Sequence, residues 1–234
     1  MREHEPRACP FGPPRGKPER PLLEAGILLA AFYLPAYVPV ISNVAAADMS
    51  KFTYYLAIFA VDVPRATLIL YLMAAGDGLG PFGMRRFFES DILKALFATV
   101  GALAAMLGSA FAFSAIGIEN PFMAAARSGP RASPMLIPLI LASSLSVGYC
   151  EELFFRSYLM RRLGQAGLTP LWAAIASSLL FGAGHGYQGL VGLVSATILG
   201  LFFSWLWNKD ADIHAIAIGH GLYDSIITSI AIYS

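Results

Sequence analysis

From Leu22 onward the sequence is a succession of apolar runs, each near the length that crosses a bilayer. A helical span takes about 20 mostly apolar residues. Seven stretches meet or approach that requirement: 23–47, 53–75, 93–117, 134–158, 169–185, 188–207 and 212–232. The fifth is short, and the fourth and seventh carry charges. The runs are unbroken rather than alternating, so helices and not barrel strands must satisfy the backbone in lipid. Composition agrees, since only 13% of residues are charged against about 25% in soluble domains. The sequence therefore reads as an all-α, polytopic transmembrane helix bundle of about seven spans. The net charge of +1 and the lack of a basic face give no footing for nucleic acid.

Residues 1–21 differ in kind. The segment CPFGPPRGKPERP is polar and proline-rich, too poor in apolar surface to order itself. It is expected to be a disordered cytoplasmic tail, and its length and mixed charge do not suit a signal peptide. Two cysteines, Cys9 in this tail and Cys150 in an apolar run, do not make a disulfide framework and are read as reduced.

Lysine and arginine set the orientation. One set of alternate segments carries Arg2, Arg7, Arg15, Lys17, Arg20, Arg85, Arg86, Lys94, Arg156, Arg161, Arg162 and Lys209. The other carries Lys51, Arg127 and Arg131. This asymmetry predicts a cytoplasmic N-terminus and a C-terminus outside. Small residues one turn apart (Gly192, Ala196 and Gly200; Gly101 and Ala105) predict close helix packing.

Ionisable residues within spans are costly and so mark candidate sites. Asp62 and Arg65, three apart around Pro64, read as a self-neutralising pair. In SVGYCEELFFRSYLM, Glu152 and Arg156 stand four apart with the acid first, the favoured order for a helical pair. Glu151 points about 100° away around the helix and is left free. The fifth span ends FGAGHGYQG, where glycines flank His185. The seventh holds HGLYD, with His220 and Asp224 on one face and His214 near its start. Glu151, His185, His220 and Asp224 are thus expected to converge on one wet pocket. A carboxylate there can act as general base on water, and imidazoles can share the proton or stabilise an oxyanion. HExxH and GxSxG are absent, although histidines and carboxylates are also zinc ligands in principle.

EELFFR at 151–156, FGAGH at 181–185 and HGLYD at 220–224 resemble the EExxxR, FxxxH and HxxxD motifs of the CPBP (ABI) family of intramembrane proteases. That family includes type II CAAX prenyl endopeptidases and bacteriocin-processing or self-immunity proteins. The resemblance covers residues 134–232, leaving 22–133 as N-terminal transmembrane helices of the same membrane domain. It implies a bacterial-type inner membrane location and an endopeptidase that hydrolyses a peptide bond in a membrane-attached protein or peptide. Glu151 would activate water, His185 would assist, His220 and Asp224 would position water or stabilise the oxyanion, and Glu152 with Arg156 would be the supporting ion pair. No cofactor is required on this reading, with a divalent metal such as zinc as the alternative. Other readings are a non-catalytic immunity or partner protein of the same fold, and a transporter with a proton relay. Since Glu151 lies about one turn before the basic cluster, the pocket is expected to open towards the cytoplasmic leaflet.

Overall fold

The computed structural model of the protein describes residues 21–34 and 48–233. Residues 1–20 of the predicted tail, and residues 35–47 of the first predicted span, lie outside the described residues, while Pro21, assigned to the tail, begins α1. Among the described residues all regular structure is helical: α1 (Pro21–Phe32), α2 (Phe52–Ala75), α3 (Ser90–Ala115), α4 (Pro121–Ser128), α5 (Ile137–Glu152), α6 (Met160–Gln165), α7 (Pro170–Gly184), α8 (Gly189–Asp210) and α9 (Ile213–Tyr233). Five continuous helical segments are long and apolar enough to cross a membrane, and two shorter apolar helices, α1 and α7, accompany them. The protein is an integral membrane protein.

The fourth predicted span ends too early. Helix α5 runs through a π-helical segment, Leu153–Leu159, into α6, so the element from Pro134 to Gln165 is 32 residues long. The predicted span stops at 158, beside Arg156, Arg161 and Arg162. All three are buried, and each faces an acid. Arg161 Nε donates to Asp77 Oδ2 at 2.9 Å, Arg162 Nη2 pairs with Glu24 at 3.1 Å, and Arg156 belongs to the bundle interior. Compensated charge of this kind can remain in the bundle where isolated charge could not. Helix α7 is short for a span, its 15 residues covering about 22 Å.

Helix α9 packs lengthwise on α5 and α3, and α7 on α8. The α5–α9 seam depends on small residues. A Cβ on Gly148 would stand 2.5 Å from Ala217 O, and one on Gly221 would stand 2.7 Å from Leu145 Cα. The predicted small-residue stripes also pack closely, with Gly200 against Ser178 and Gly101 against the Phe202 ring.

The two ends of the bundle are distinct. At one, Arg85 in the α2–α3 connection bridges Asp91 and Asp212, and Lys94 pairs with Asp210. The hydrogen bond to Asp91 and the nearby Asp212 charge hold the Arg85 guanidinium above its ordinary pKa. At the other, Tyr233 Oη donates to Ser133 O, and Tyr55, Ala132, Ile140, Ala231 and Ile232 form a separate apolar cluster.

Candidate active site

The site is built where α5 gives way to the π-helical segment. A π turn breaks the i to i−4 ladder and often marks a functional position. It also leaves backbone groups in need of partners. Ser177 Oγ of α7 donates to Phe155 O at 2.7 Å, and the segment's own Ser157 side chain ties it to the α2–α3 connection, Oγ donating to Phe82 O at 2.6 Å. All seven side chains of the segment are buried. The two glutamates just before it are therefore firmly based.

Glu152 and Arg156 are fully buried, with Arg156 Nε 3.1 Å from Glu152 Oε2. The guanidinium also lies over the Phe181 ring, 4.3 Å from its centroid. This is the ion pair expected from the four-residue spacing. The spacing could not reveal the second partner: Glu152 Oε1 lies 2.7 Å from His220 Nδ1 on α9. An ionised carboxylate only accepts, so Nδ1–H donates. The opposite edge of the ring, Nε2, lies 3.5 Å from Asp224 Oδ2 and 3.8 Å from Glu151 Oε2. His220 thus has a sealed acid on one side and two partly exposed acids on the other.

His185 follows the last residue of α7 at φ −94°, ψ 8°, and leads into the one-turn helix Gly186–Gln188. Its Nδ1 lies 2.9 Å from Phe181 O. A carbonyl only accepts, so Nδ1 again carries the hydrogen and Nε2 is the edge left for other chemistry. Phe181 adjoins both histidines and the arginine of the ion pair. Its ring centroid is 4.6 Å from that of His185 and 6.0 Å from that of His220, with Arg156 stacked as above. The FxxxH spacing contains Phe181 but does not disclose this role.

Glu151, His185, His220 and Asp224, the four residues singled out in the sequence, line one cavity of about 620 Å³. Phe181, Tyr223 and Leu199 share its floor, and α3, α8 and α9 contribute apolar walls. The cavity does not open where the sequence predicted. Its outer lining comes from the Met49 turn, the residues Ile118–Asn120, α4 and Gln188, all at the end opposite Arg85, Arg86 and Lys209. Towards the basic end the way is filled by Phe82, Tyr158, Phe203 and Trp207, each at most 1% exposed. The prediction took distance along one helix as its guide; the packing of the aromatic residues around that helix decides which end is closed.

Two other predicted polar groups lie apart. His214 accepts from Tyr149 Oη at 3.0 Å and donates through Nε2 to Arg85 O at 2.8 Å, a fully used ring away from the cavity. Asp62 and Arg65 stand 3.8 Å apart, and Arg65 also donates to Phe32 O. Tyr33, a residue with no sequence signal, stacks on Phe154 just beyond the glutamates, and the Arg65 guanidinium lies over the Tyr33 ring, 5.4 Å from its centroid. Among the described residues, no three His, Cys, Asp or Glu side chains are grouped as metal ligands.

The fold and site together define a helical integral membrane protein with a carboxylate–imidazole centre in an interhelical cavity. Residues 133–226, which run from just before α5 into α9, match the family model described as Type II CAAX prenyl endopeptidase Rce1-like. That family is one of proteases. No curated protein and no solved structure matches the chain.

Proposed function

We propose that the protein is an intramembrane endopeptidase that hydrolyses a peptide bond of a membrane-attached polypeptide within the 620 Å³ cavity. The observation that carries this reading is the unequal treatment of two adjacent acids. Glu152 is sealed against Arg156 and His220, whereas the Glu151 side chain is 20% exposed and faces the cavity. A carboxylate with access to water and no lysine or arginine bonded to it is suited to serve as a general base. The match of residues 133–226 to a protease family supports the same conclusion.

In this mechanism Glu151 takes a proton from water as the oxygen attacks the scissile carbonyl carbon. The carbonyl electrons move to oxygen, and the resulting oxyanion is met by an imidazole N–H from Nε2 of His220 or His185 when that ring is protonated. Asp224, 3.5 Å from His220 Nε2, balances the charge of that ring. Glu151 then returns the proton to the amide nitrogen as the C–N bond breaks, leaving a carboxylic acid and an amine. Glu152 touches no reacting atom. It fixes the His220 tautomer and ring direction, as a third group does in other nucleophile and base arrangements.

The test is cleavage of a tagged, membrane-anchored polypeptide by the purified protein in lipid. The wild type is expected to cut it and Glu151→Gln is expected not to. Cleavage retained by Glu151→Gln would overturn the assignment of the base.

A further inference from the structure

The lining of the cavity reaches exposed residues, Glu119 and Arg127, at the end of the bundle away from the basic cluster. We infer that this site is reached from the extracytoplasmic side of the membrane, and that the segment it takes is the extracytoplasmic, membrane-adjacent stretch of an anchored polypeptide. The choice of a polypeptide rests on the proposed protease reading; the side of access rests on the fold and on the distribution of basic residues.

Two independent observations converge. The first is the position of the basic residues. Arg85, Arg86, Lys94, Arg161, Arg162 and Lys209 gather at one end of the bundle, and α1 starts there, with Glu24 paired to Arg162. The opposite end has Lys51, Arg127 and Arg131. Lysine and arginine near the ends of spans, counted without regard to acidic neighbours, are retained in the cytoplasm. That the basic end is rich in ion pairs therefore does not weaken the assignment.

The second is the shape of the site. No cavity-lining residue comes from the connections at the basic end. There the interior is closed by Phe82, Tyr158, Phe203 and Trp207, and by the Asp77 carboxylate held between Arg161 and Arg162. At the other end the lining reaches exposed side chains, Glu119 and Arg127, beside the short helix α4. The wall between this rim and Glu151 is mostly apolar, with Ile58, Met106, Ile227 and Val191 among its residues. Such a passage suits an extended segment with apolar side chains as it leaves the bilayer. A water-soluble loop arriving from the cytoplasm would have to cross the aromatic plug.

The experiment uses the full chain in sealed membranes of known orientation, with Cys9→Ser to leave Cys150 as the one native thiol. Cys150 is 1% exposed and stays. Single cysteines are placed at the rim (Arg127→Cys), in the wall (Thr228→Cys) and at the basic end (Arg86→Cys), and are treated with a membrane-impermeant maleimide. Labelling of the first two from the extracytoplasmic side, and of Arg86→Cys only after permeabilisation, is the expected result. Gln188→Cys, also on the lining, replaces either cavity variant if it fails to fold. Labelling of the cavity variants only from the cytoplasmic side would overturn the inference. Two anchored substrates with the scissile segment on opposite sides form the second arm. Cutting of the extracytoplasmic one alone supports the inference, and cutting of the cytoplasmic one overturns it. If the labelling pattern holds but neither substrate is cut, the side of access stands and the protease reading fails.

Discussion

His220 Nδ1 lies 2.7 Å from Glu152 Oε1, closer than its Nε2 lies to Glu151 or to Asp224. The second glutamate therefore joins two helices: it neutralises Arg156 within its own helix and holds a histidine on α9. Glu152→Gln would leave the fully buried Arg156 without its counter-charge. Removing one partner of a buried pair costs about 3–5 kcal/mol. The expected outcome is a large drop in folded yield and thermal stability, measured by size-exclusion chromatography after heating in detergent. Glu151→Gln, at a partly exposed side chain, is expected to keep the wild-type midpoint while losing cleavage. Equal midpoints for the two variants would refute this division between a structural and a reacting acid.

Phe181 connects the ion pair to both histidines. The Arg156 guanidinium stands 4.3 Å from its ring centroid in a dry environment, where a cation–π contact is worth about 2 kcal/mol. Phe181→Leu keeps an apolar side chain but removes the ring. It is expected to lower stability by about that amount and to reduce kcat more than KM, because His185 and His220 lose a common packing surface. Phe181→Tyr, which keeps the ring, should restore the packing contribution if the added hydroxyl finds room in the cavity. Thermal midpoints and cleavage kinetics of the three proteins provide the check.

The sequence discloses the faces of helices better than the contacts between them. Glu151 and Glu152 point in different directions because neighbours on a helix are about 100° apart, and His220 and Asp224 share a face for a similar reason. The placement of these side chains around one cavity follows from that geometry once α5 and α9 meet. The Glu152–His220 contact joins residues 68 positions apart, and no local spacing could disclose it. Nor could the π-helical turn be read, since Leu153–Leu159 has the composition of any buried helix. The direction of the cavity is likewise a tertiary property, set by Phe82 and Trp207 at one end and by α4 at the other. What sequence reasoning missed at Arg161 and Arg162 has a single cause: their partners, Asp77 and Glu24, lie far away in the chain.

A pH series tests the proposed base directly. A carboxylate must be ionised to accept a proton from water, so cleavage is expected to fall on acidification, as Glu151 becomes protonated. The ordinary glutamate pKa is about 4.3. The measurement is the initial rate of cleavage of the anchored substrate across pH, with protein integrity checked at each point. Undiminished activity well below the ordinary glutamate range would exclude Glu151 as the base.

The closeness of α5 and α9 offers a prediction whose sign is unusual. Glycine to alanine in a helix interior ordinarily stabilises by about 0.5–1 kcal/mol, because alanine has less backbone freedom to lose. Gly108 on α3 is such a position, with no atom within 4 Å of an added Cβ. Gly108→Ala is therefore expected to be neutral or slightly stabilising and to leave cleavage unchanged. Gly148 is on α5, one turn before Glu152, and an added Cβ would stand 2.5 Å from Ala217 O and 2.8 Å from Gly221 N, both backbone atoms of α9. A backbone atom cannot turn aside as a side chain can, so the helices must separate. Such overpacking costs about 1–3 kcal/mol, which outweighs the gain in helix propensity. Separation would also lengthen the 2.7 Å Glu152–His220 hydrogen bond and draw His220 away from Glu151. Gly148→Ala is thus expected to lower the thermal midpoint and to reduce cleavage by more than its loss of folded protein explains. Measured side by side with Gly108→Ala, a Gly148→Ala protein of wild-type stability and rate would show that the α5–α9 seam does not hold the two glutamates and His220 in register.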